Sequence, residues 1–541
     1  MENQARLPQT TPPVFLYDTT LRDGAQSAGI HFTLQDKLRI LKLLDSFGVH
    51  YIEGGWPGAN PKDVAFFQEA KNVKLKNSQL VAFGSTCRVG LAPEEDPMLK
   101  GLLEAETEMI TIFGKSWDLH VAHALHTTLD ENLRIIEESI RFLKKKGRQV
   151  MYDAEHFFDG YRNNPDYALK TIEAAVSGGA DWIILCDTNG GALPWEIEEI
   201  VSQVNRRLTT PLGVHLHNDG GMAVASSLTA VRAGARQVQG TVNGYGERCG
   251  NADLVPLIAN LVLKMGIPVL EREKLQSLTH LSRSVSEIAN RRLDEGHPFV
   301  GRNAFAHKAG VHVNALRKKR ETYEHIPPEW VGNERRIVVS DQAGGSNILE
   351  QEALGDLDPQ VAKILAGDVK RLEHEGYSFE EAEGSLELLL YAREGEEFPF
   401  TLESFRVTLE KRREEKALSE ATIKLRVGDS VVHTAAEGNG PVNALDNALR
   451  KALTSFFPEL ESCRLTDYKV RVLEGSDGTG ATVRVLIRTH DGENSWGTVG
   501  VSENIIEASW EALLASLSIP LMRKKRKSGK VEISAEKENA V

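Results

Sequence analysis

The chain has 541 residues, of which 41% are hydrophobic and 26% are charged, so it is long enough to form two or three domains with their own cores. Its formal net charge of -13 argues against a nucleic-acid partner, because such binding depends on Lys and Arg side chains that neutralise phosphates. The four cysteines occur singly, and we recognise neither a secretory leader nor an apolar run of about 18 residues. We therefore expect a cytoplasmic protein with reduced thiols and no membrane span.

The first strand and helix set the pattern of the N-terminal half. Residues 14–18 form a short apolar run that predicts a strand, and residues 33–47 have leucines at helical spacing. Thr33 is suited to cap this helix with Asp36 three residues later, and Gly48 stands where a helix commonly ends. Together these segments predict a βα unit.

The same alternation continues to about residue 264. Strands are predicted at residues 50–53, 81–85, 109–113, 149–154, 182–186, 212–216 and 237–242. Helices are predicted between or after them, for example at residues 128–146, 166–177, 222–233 and 252–264. Eight βα units over about 250 residues predict an α/β fold of the TIM (β/α)8 barrel type, with a doubly wound open sheet as the alternative.

A TIM barrel places its active site at the C-terminal ends of its strands. The candidate residues that follow strands one, five, six, seven and eight in this way are Arg22, Asp23, Glu155, Asp187, Thr188, His217 and Asn251. Because these ends meet on one face of a barrel, we expect these side chains to share one site.

A metal site is predicted from Asp23, His215 and His217. The two histidines stand at i and i+2 on a predicted strand, so they project from the same face about 7 Å apart. Two imidazoles and one carboxylate suit a catalytic divalent cation with open positions, and Mg, Mn, Co and Zn all tolerate this ligand set. A packed histidine pair is the alternative, and Asn251 suits either a fourth ligand or the cap of the next helix.

The remaining half is divided by its change in pattern. Between residues 268 and 399 the βα alternation stops, and helices are predicted at residues 275–293 and 358–375. Beyond residue 400 a strand and helix pattern occurs twice. Its strands are predicted at residues 421–427, 431–435, 468–473, 481–489 and 495–501, and its helices at residues 441–456 and 505–517. This duplicated α+β unit has no cluster of titratable residues, which favours binding or assembly over catalysis.

The domain boundaries follow from these patterns. We predict a catalytic barrel at residues 1–275, linker subdomains at 276–399, a regulatory or dimerisation domain at 400–521 and a disordered tail at 522–541. The basic run at 523–527 is assigned no function, because short mixed-charge tails are usually solvated.

Five motifs give the chain a family resemblance. They are DTTLRDGAQ at 18–26, YIEGGWPGANPKD at 51–63, HLHND at 215–219, GERCGNADL at 246–254 and AFAHKAGVH at 304–312. They resemble those of the metal-dependent acyl-CoA condensing enzymes, namely the 2-isopropylmalate, homocitrate and citramalate synthases. The chain is most similar to the citramalate synthases with the architecture of 2-isopropylmalate synthase, over about residues 14–521.

The resemblance implies a Claisen-type condensation of acetyl-CoA with pyruvate that gives (R)-citramalate and CoA. It implies that Asp23, His215, His217 and Asn251 hold the divalent metal ion, and that Arg22 is the catalytic arginine that also binds substrate. The alternative role of Arg22 is a salt bridge to a barrel carboxylate.

The resemblance also implies roles for residues outside the metal site. Glu155 and His312 are the candidate bases, and the choice between them is open. Tyr323 accompanies His312, and Thr188 binds the substrate carboxylate unless it only forms a turn after its strand. The resemblance further implies a homodimer in which the His312 segment reaches a neighbouring barrel, and a C-terminal domain that binds isoleucine as a feedback inhibitor.

Other functions stay open at this point. A 2-isopropylmalate or homocitrate synthase would use the same metal site with a larger 2-oxo acid. A lyase running the reverse cleavage would share the barrel motifs, although the C-terminal duplication argues against it. An amino-acid sensor with an inactive barrel belongs to another class, and the complete set of candidate catalytic residues argues against that function.

Overall fold

The computed structural model describes residues 13–351, 354, 357–413, 416–473 and 480–538. These form two compact units. The first contains the described residues of Met1–Phe305 and Ile326–Arg335, and the second those of Ala306–His325 and Arg336–Val541.

The first unit contains a closed barrel of parallel strands, in which the first strand pairs with both the second and the eighth. The strands are β1 Phe15–Asp18, β2 Tyr51–Gly55, β3 Gln79–Ser85, β4 Met109–Lys115, β5 Gln149–Glu155, β6 Trp182–Asp187, β7 Leu212–Leu216 and β8 Gln237–Gly240. The TIM barrel is therefore confirmed, and the open sheet is excluded because the sheet closes on itself.

Helices surround this barrel and continue beyond it. They are α1 Leu34–Phe47, α2 Pro61–Ala70, α3 Pro97–Glu104, α4 Asp118–His123, α5 Leu129–Lys145, α6 Phe157–Asn163, α7 Pro165–Gly178, α8 Pro194–Arg207, α9 Ala223–Ala233, α10 Leu254–Leu263 and α11 Leu278–Ile288. Thr33 and Asp36 form the predicted capping box of α1, and Gly48 ends it with φ 101°. Helix α11 is shorter than the predicted 275–293, because Asn290 has a left-handed backbone with φ 49°.

The barrel interior is built from alternate residues of each strand. A separate apolar cluster fills it and consists of Tyr17, Val81, Met109, Met151, Trp182, Ile184 and Cys186. Since the side-chain period of a strand is two, Asp153 and Glu155 follow Met151 on the inward face of β5. The interior is thus apolar in part and acidic toward the C-terminal strand ends, where a site can form.

The second unit begins with a small parallel pair and four helices. The strands are β9 Ala306–His307 and β10 Arg336–Ile337, and the helices are α12 Gly310–Lys318, α13 Gly345–Leu349, α14 Pro359–His374 and α15 Glu383–Arg393. Helix α14 lies within one residue of its predicted bounds at each end.

The unit then contains two βββα repeats. Their strands are β11 Thr401–Glu410, β12 Leu418–Val427 and β13 Ser430–Gly438, then β14 Arg464–Val472, β15 Val483–His490 and β16 Ser495–Ser502. Helix α16 Pro441–Leu453 follows the first antiparallel sheet, and α17 Ile505–Glu538 follows the second. The duplication is confirmed. Among the strands of these repeats, β11 was not predicted from the sequence, and its residues are mostly exposed.

Helix α17 continues past residue 521, where a disordered tail was predicted. The reason is that Arg523 donates to the buried carboxylate of Glu387, with an N–O distance of 2.7 Å, and Lys524 pairs with Glu459 at 2.8 Å. Residues 539–541 of the predicted tail lie outside the described part.

The segment Ile505–Arg526 is long and apolar enough to cross a membrane, but 61% of its most apolar stretch is buried within the structure, as in the core helix of a folded domain.

Candidate metal centre and active site

Asp23, His215 and His217 meet at the C-terminal end of the barrel. His215 lies on β7 and His217 directly follows it, so strand alternation turns both imidazoles inward. Asp23 comes from the loop after β1. The Nε2 atom of His215 lies 3.2 Å from Asp23 Oδ2 and 3.3 Å from His217 Nε2. One potential ligand atom from each residue lies within 4.8 Å of the other two.

Asn251 lies beside the same atoms. Its Nδ2 is 3.1 Å from Asp23 Oδ2 and 3.2 Å from His215 Nε2, while its Oδ1 is buried without a hydrogen-bond partner among the described residues. A 180° rotation of the amide exchanges these atoms and offers the cluster an oxygen. The alternative role of Asn251 as a helix cap is wrong, because Asp253 caps α10 by accepting from Val255 N.

A hydrogen bond orients the first imidazole. His215 Nδ1–H donates to Gln239 Oε1 at 2.9 Å, which leaves the lone pair of Nε2 directed at the cluster. Gln239 Nε2 in turn donates to Gln237 Oε1 at 3.1 Å. A chain of β8 amides therefore fixes the tautomer of His215 that a cation requires.

The protonation states also suit a cation. Burial alone would raise the pKa of Asp23, but the Arg22 guanidinium and the hydrogen bond to His215 hold it well below its usual range. Burial, followed by the charge on His215, lowers the pKa of His217 to about 3. Burial would also lower the pKa of His215, but the hydrogen bond to Asp23 raises it. A cation would replace the proton that Asp23 favours on His215.

The donor set fits a divalent cation. Adjacent ligands of an octahedral ion with bonds of about 2.1 Å lie about 3 Å apart, which is close to the 3.2 and 3.3 Å separations around His215 Nε2. Two imidazole nitrogens, a carboxylate and an amide oxygen are common ligands of Mn, Co, Zn and Mg ions.

Arg22 connects the candidate ligand Asp23 to the buried carboxylate of Glu53. Its Nε donates to Glu53 Oε1 at 2.5 Å, and its Nη1 donates to Asp23 Oδ1 at 2.6 Å. Its guanidinium carbon also lies 3.8 Å from the centre of the Phe83 ring. Arg22 thus forms the salt bridge that was considered as its alternative role, and these contacts fix the guanidinium beside the candidate metal ligands.

Glu155 and Lys115 form an ion pair at the ends of β5 and β4. Asp153 precedes Glu155 on the same strand face and is 3% exposed, with Oδ1 lacking a hydrogen-bond partner in the described structure. Burial raises the pKa of Asp153 to about 7. The barrel interior therefore holds one ion-paired carboxylate and one desolvated carboxyl group next to each other.

Arg248 joins three of the loops around the site. It donates to both carboxylate oxygens of Asp219, at 2.7 and 2.9 Å, and to the backbone carbonyl of Thr188 at 2.7 Å. Thr188 Oγ1 accepts from His156 N at 2.9 Å, so its hydroxyl joins the loops after β5 and β6, while its backbone lies in the turn that Gly190 N closes on Asp187 O at 3.0 Å. Asp187 instead accepts from Gly191 N and Ala192 N and shapes its own loop.

The other two candidate residues lie in the second unit. His312 is on α12 and Tyr323 follows a short 3-10 turn, and their rings stack with centroids 4.0 Å apart. The tyrosine side chain is 44% exposed, so it is available to a ligand or partner. The structure thus brings His312 together with Tyr323, and Arg22 together with the candidate metal ligand Asp23.

Family models match three successive parts of the chain. The HMGL-like model matches residues 14–285, the homocitrate synthase post-HMGL domain-like model residues 299–369, and the LeuA allosteric (dimerisation) domain model residues 381–519. The barrel, its histidine and aspartate cluster and these matches define a metal-dependent HMGL-like enzyme with a LeuA-type C-terminal domain.

Similar curated proteins define the family further. The chain is 54% identical to (R)-citramalate synthase of Aquifex aeolicus, covering 94% of this chain and 98% of that protein. It is 53% identical to (R)-citramalate synthase of Geobacter sulfurreducens, covering 95% and 99%. A probable 2-isopropylmalate synthase of Archaeoglobus fulgidus is 31% identical, covering 95% and 98%. The chain belongs to the (R)-citramalate synthase family.

Several residues of the site were missed by the sequence analysis. Glu53, Lys115, Asp153 and Arg248 were not assigned roles, although each lies in or beside a motif or predicted strand. The available signal was a charged residue at an inward position of an otherwise apolar strand, as for Glu53 and Asp153.

Proposed function

We propose that the chain condenses acetyl-CoA with pyruvate and releases (R)-citramalate and CoA. The observation that carries the proposal is the convergence of Asp23, His215 and His217 beside Arg22 at the C-terminal end of the barrel. The 54% identity to a citramalate synthase, against 31% to a probable 2-isopropylmalate synthase, supports pyruvate as the 2-oxo acid.

Aromatic side chains beside Arg22 also support a small substrate. Trp56, Phe83 and Phe113 contact one another with ring centroids 5.5 to 5.8 Å apart. Phe83 and Phe113 lie on the inward faces of β3 and β4, so they occupy volume at this end of the barrel. The space that they leave suits the methyl group of pyruvate better than the larger, branched side chain of 2-oxoisovalerate.

Asp23, His215 and His217 would hold the divalent cation, with Asn251 as a further oxygen ligand. When bound, the cation supplies Lewis-acid polarisation of the pyruvate keto group and a fixed position for the 2-oxo acid. Gln239 keeps His215 in the required tautomer, and Thr188 would donate its hydroxyl hydrogen to the substrate carboxylate.

The condensation needs a proton acceptor and an oxygen-stabilising donor. A base removes a proton from the acetyl methyl group, and the resulting carbon nucleophile bonds to the keto carbon of pyruvate. The keto oxygen takes the electron pair of its π bond and then a proton. Arg22 stabilises the negative charge that develops on oxygen, since Glu53 holds its guanidinium in place. Water then cleaves the thioester, which gives citramalate and the thiol of CoA.

Glu155 and His312 remain the two candidates for the base, and Tyr323 is proposed to assist His312 through their stacked rings. Exchange of acetyl methyl hydrogens with deuterated water, measured without condensation, separates the two candidates. The variant of the true base, Glu155→Gln or His312→Asn, loses exchange, whereas the other variant retains exchange and loses a later step.

The C-terminal repeats are proposed to bind isoleucine as a feedback inhibitor and to form a homodimer. The match to the LeuA allosteric (dimerisation) domain supports this proposal. One helix begins after each of the two sheets, and the N-terminus of a helix suits the carboxylate of an amino acid. Titration of isoleucine and leucine against activity tests it, and lack of inhibition by isoleucine would contradict it.

We place the protein in the cytoplasm, where its free cysteines stay reduced.

The substrate test is thiol release from acetyl-CoA with four 2-oxo acids, namely pyruvate, 2-oxobutyrate, 2-oxoisovalerate and 2-oxoglutarate. We expect the highest kcat/KM with pyruvate. A preference for 2-oxoisovalerate or 2-oxoglutarate would instead indicate an isopropylmalate or homocitrate synthase, and absence of release with all four would favour the sensor or lyase.

A further inference from the structure

A polar cavity in the second unit has no role in the condensation. It has a volume of about 670 Å³ and lies among β14, β15, α14 and the segment that carries Lys308. Its charged lining residues are Lys308, Asp341, Lys370, Glu373, Glu380, Arg471 and Arg484. Almost every lining side chain is polar or charged, so an apolar ligand does not match this cavity.

Two arginines of the cavity face each other across a strand pair. Arg471 of β14 is the direct antiparallel partner of Arg484 of β15. Like charges at directly opposite positions destabilise a sheet, because their Cβ atoms are about 5 Å apart. Burial, followed by the charge of Arg471, lowers the pKa of Arg484, and the opposing charges of Glu373 and Glu380 do not cancel this effect.

Three carboxylates, those of Asp341, Glu373 and Glu380, also line the cavity, and the last two have partners of their own. Glu373 accepts the backbone N–H groups of Asp341 at 2.6 Å and Phe379 at 3.1 Å, and Glu380 pairs with Lys308. Among the described residues, Arg484 donates hydrogen bonds to the neutral carbonyls of Gly376 and Tyr377, at 2.5 and 3.0 Å.

Lys370, like Arg471, is a cation of the cavity lining. Within the part of the chain that the structure describes, neither Lys370 nor Arg471 forms an ion pair. With Arg484, they present three positive charges to one polar space. Such an arrangement is stable when an anion with several oxygens binds between them, and arginine matches phosphate oxygens with its planar pairs of N–H groups.

We propose that this cavity binds the phosphate groups of a small phosphorylated molecule through Lys370, Arg471 and Arg484. Two sources share this chemistry, namely the nucleotide part of CoA and a separate phosphorylated ligand. Lys308 belongs to the same sequence motif as His312, so a ligand here would contact the segment that carries a candidate catalytic residue. The proposal does not depend on the synthase activity, because its test measures binding.

The test is calorimetric titration of the full chain with pyrophosphate, ADP, adenosine 3′,5′-bisphosphate and CoA, with adenosine as the uncharged control. Arg471→Gln and Lys370→Gln change exposed side chains and are expected to weaken the binding of at least one phosphorylated compound about tenfold or more. Arg406→Gln is the matched control, because Arg406 is an exposed strand cation outside the cavity.

The ligand source follows from which compounds respond. Weaker binding of adenosine 3′,5′-bisphosphate and CoA in the two variants would assign the site to the nucleotide part of CoA. Weaker binding of pyrophosphate or ADP alone would assign it to a separate ligand, and both results support the proposal. Absence of binding by every phosphorylated compound, or equal affinities in Arg471→Gln, Lys370→Gln and Arg406→Gln, would overturn it.

Discussion

Replacement of Arg22 by lysine tests the link between the metal site and the buried acid. The change removes the bond from Nε to Glu53 at 2.5 Å and the stacking at 3.8 Å over Phe83, while one ammonium group remains near Asp23. Loss of one oxygen-stabilising donor typically lowers kcat about 100- to 1000-fold. Loss of a charged hydrogen bond to a buried group costs about 2 to 3 kcal/mol of folding free energy.

The assay is thiol release with pyruvate at saturating acetyl-CoA, together with denaturant unfolding of the same samples. We expect Arg22→Lys to lower kcat about 100-fold or more while the protein stays folded, because lysine cannot bond two carboxylates with a planar fork. Arg39→Lys is the control, since Arg39 is an exposed cation of α1. A kcat of Arg22→Lys within about threefold of the parent would refute the proposed role of the guanidinium.

Three other substitutions test the supporting structure. Arg248→Lys loses the paired bonds to Asp219, so we expect kcat/KM for pyruvate to fall about tenfold, with unchanged activity counting against a positioning role. Burial raises the pKa of Asp18 to about 7 from 3.8. Its contribution to the free energy of unfolding is therefore present below about pH 4 and is lost as the pH rises to about 7. We expect the thermal midpoint of Asp18→Asn to fall less between pH 5 and 8 than that of the parent. Arg523→Gln leaves buried Glu387 without its cation and should destabilise the second unit by about 2 to 3 kcal/mol in denaturant unfolding, whereas an unchanged midpoint would mean that the ion pair is unimportant.

The barrel was predictable because its strands are short apolar runs between well-capped helices. The structure agrees with the predicted strands to within a few residues, and residues 212–216 match β7 at both ends. The candidate ligands were predictable for the same reason, since knowledge of where each strand ends determines which side chains meet on the C-terminal face.

The contacts between distant segments could not be predicted in this way. Glu53 bonds Arg22 across 31 positions of the chain, and the pairing of Arg523 with Glu387 spans 136 positions. No local pattern contains such a pair, so the basic run at 523–527 looked like a solvated tail. Strand β11 was missed because most of its residues are exposed and an irregularity between Leu402 and Ser404 interrupts the apolar alternation that Phe405 and Val407 continue.

The central claim is that a divalent cation held by Asp23, His215 and His217 carries the condensation. The most direct measurement is pyruvate-dependent thiol release by chelator-treated protein during stepwise addition of Mn²⁺. We predict no release without metal, recovery that saturates at about one bound ion per chain, and no recovery for His217→Gln at the same metal concentration. Full activity in the metal-free protein, or equal recovery in His217→Gln, would contradict the account.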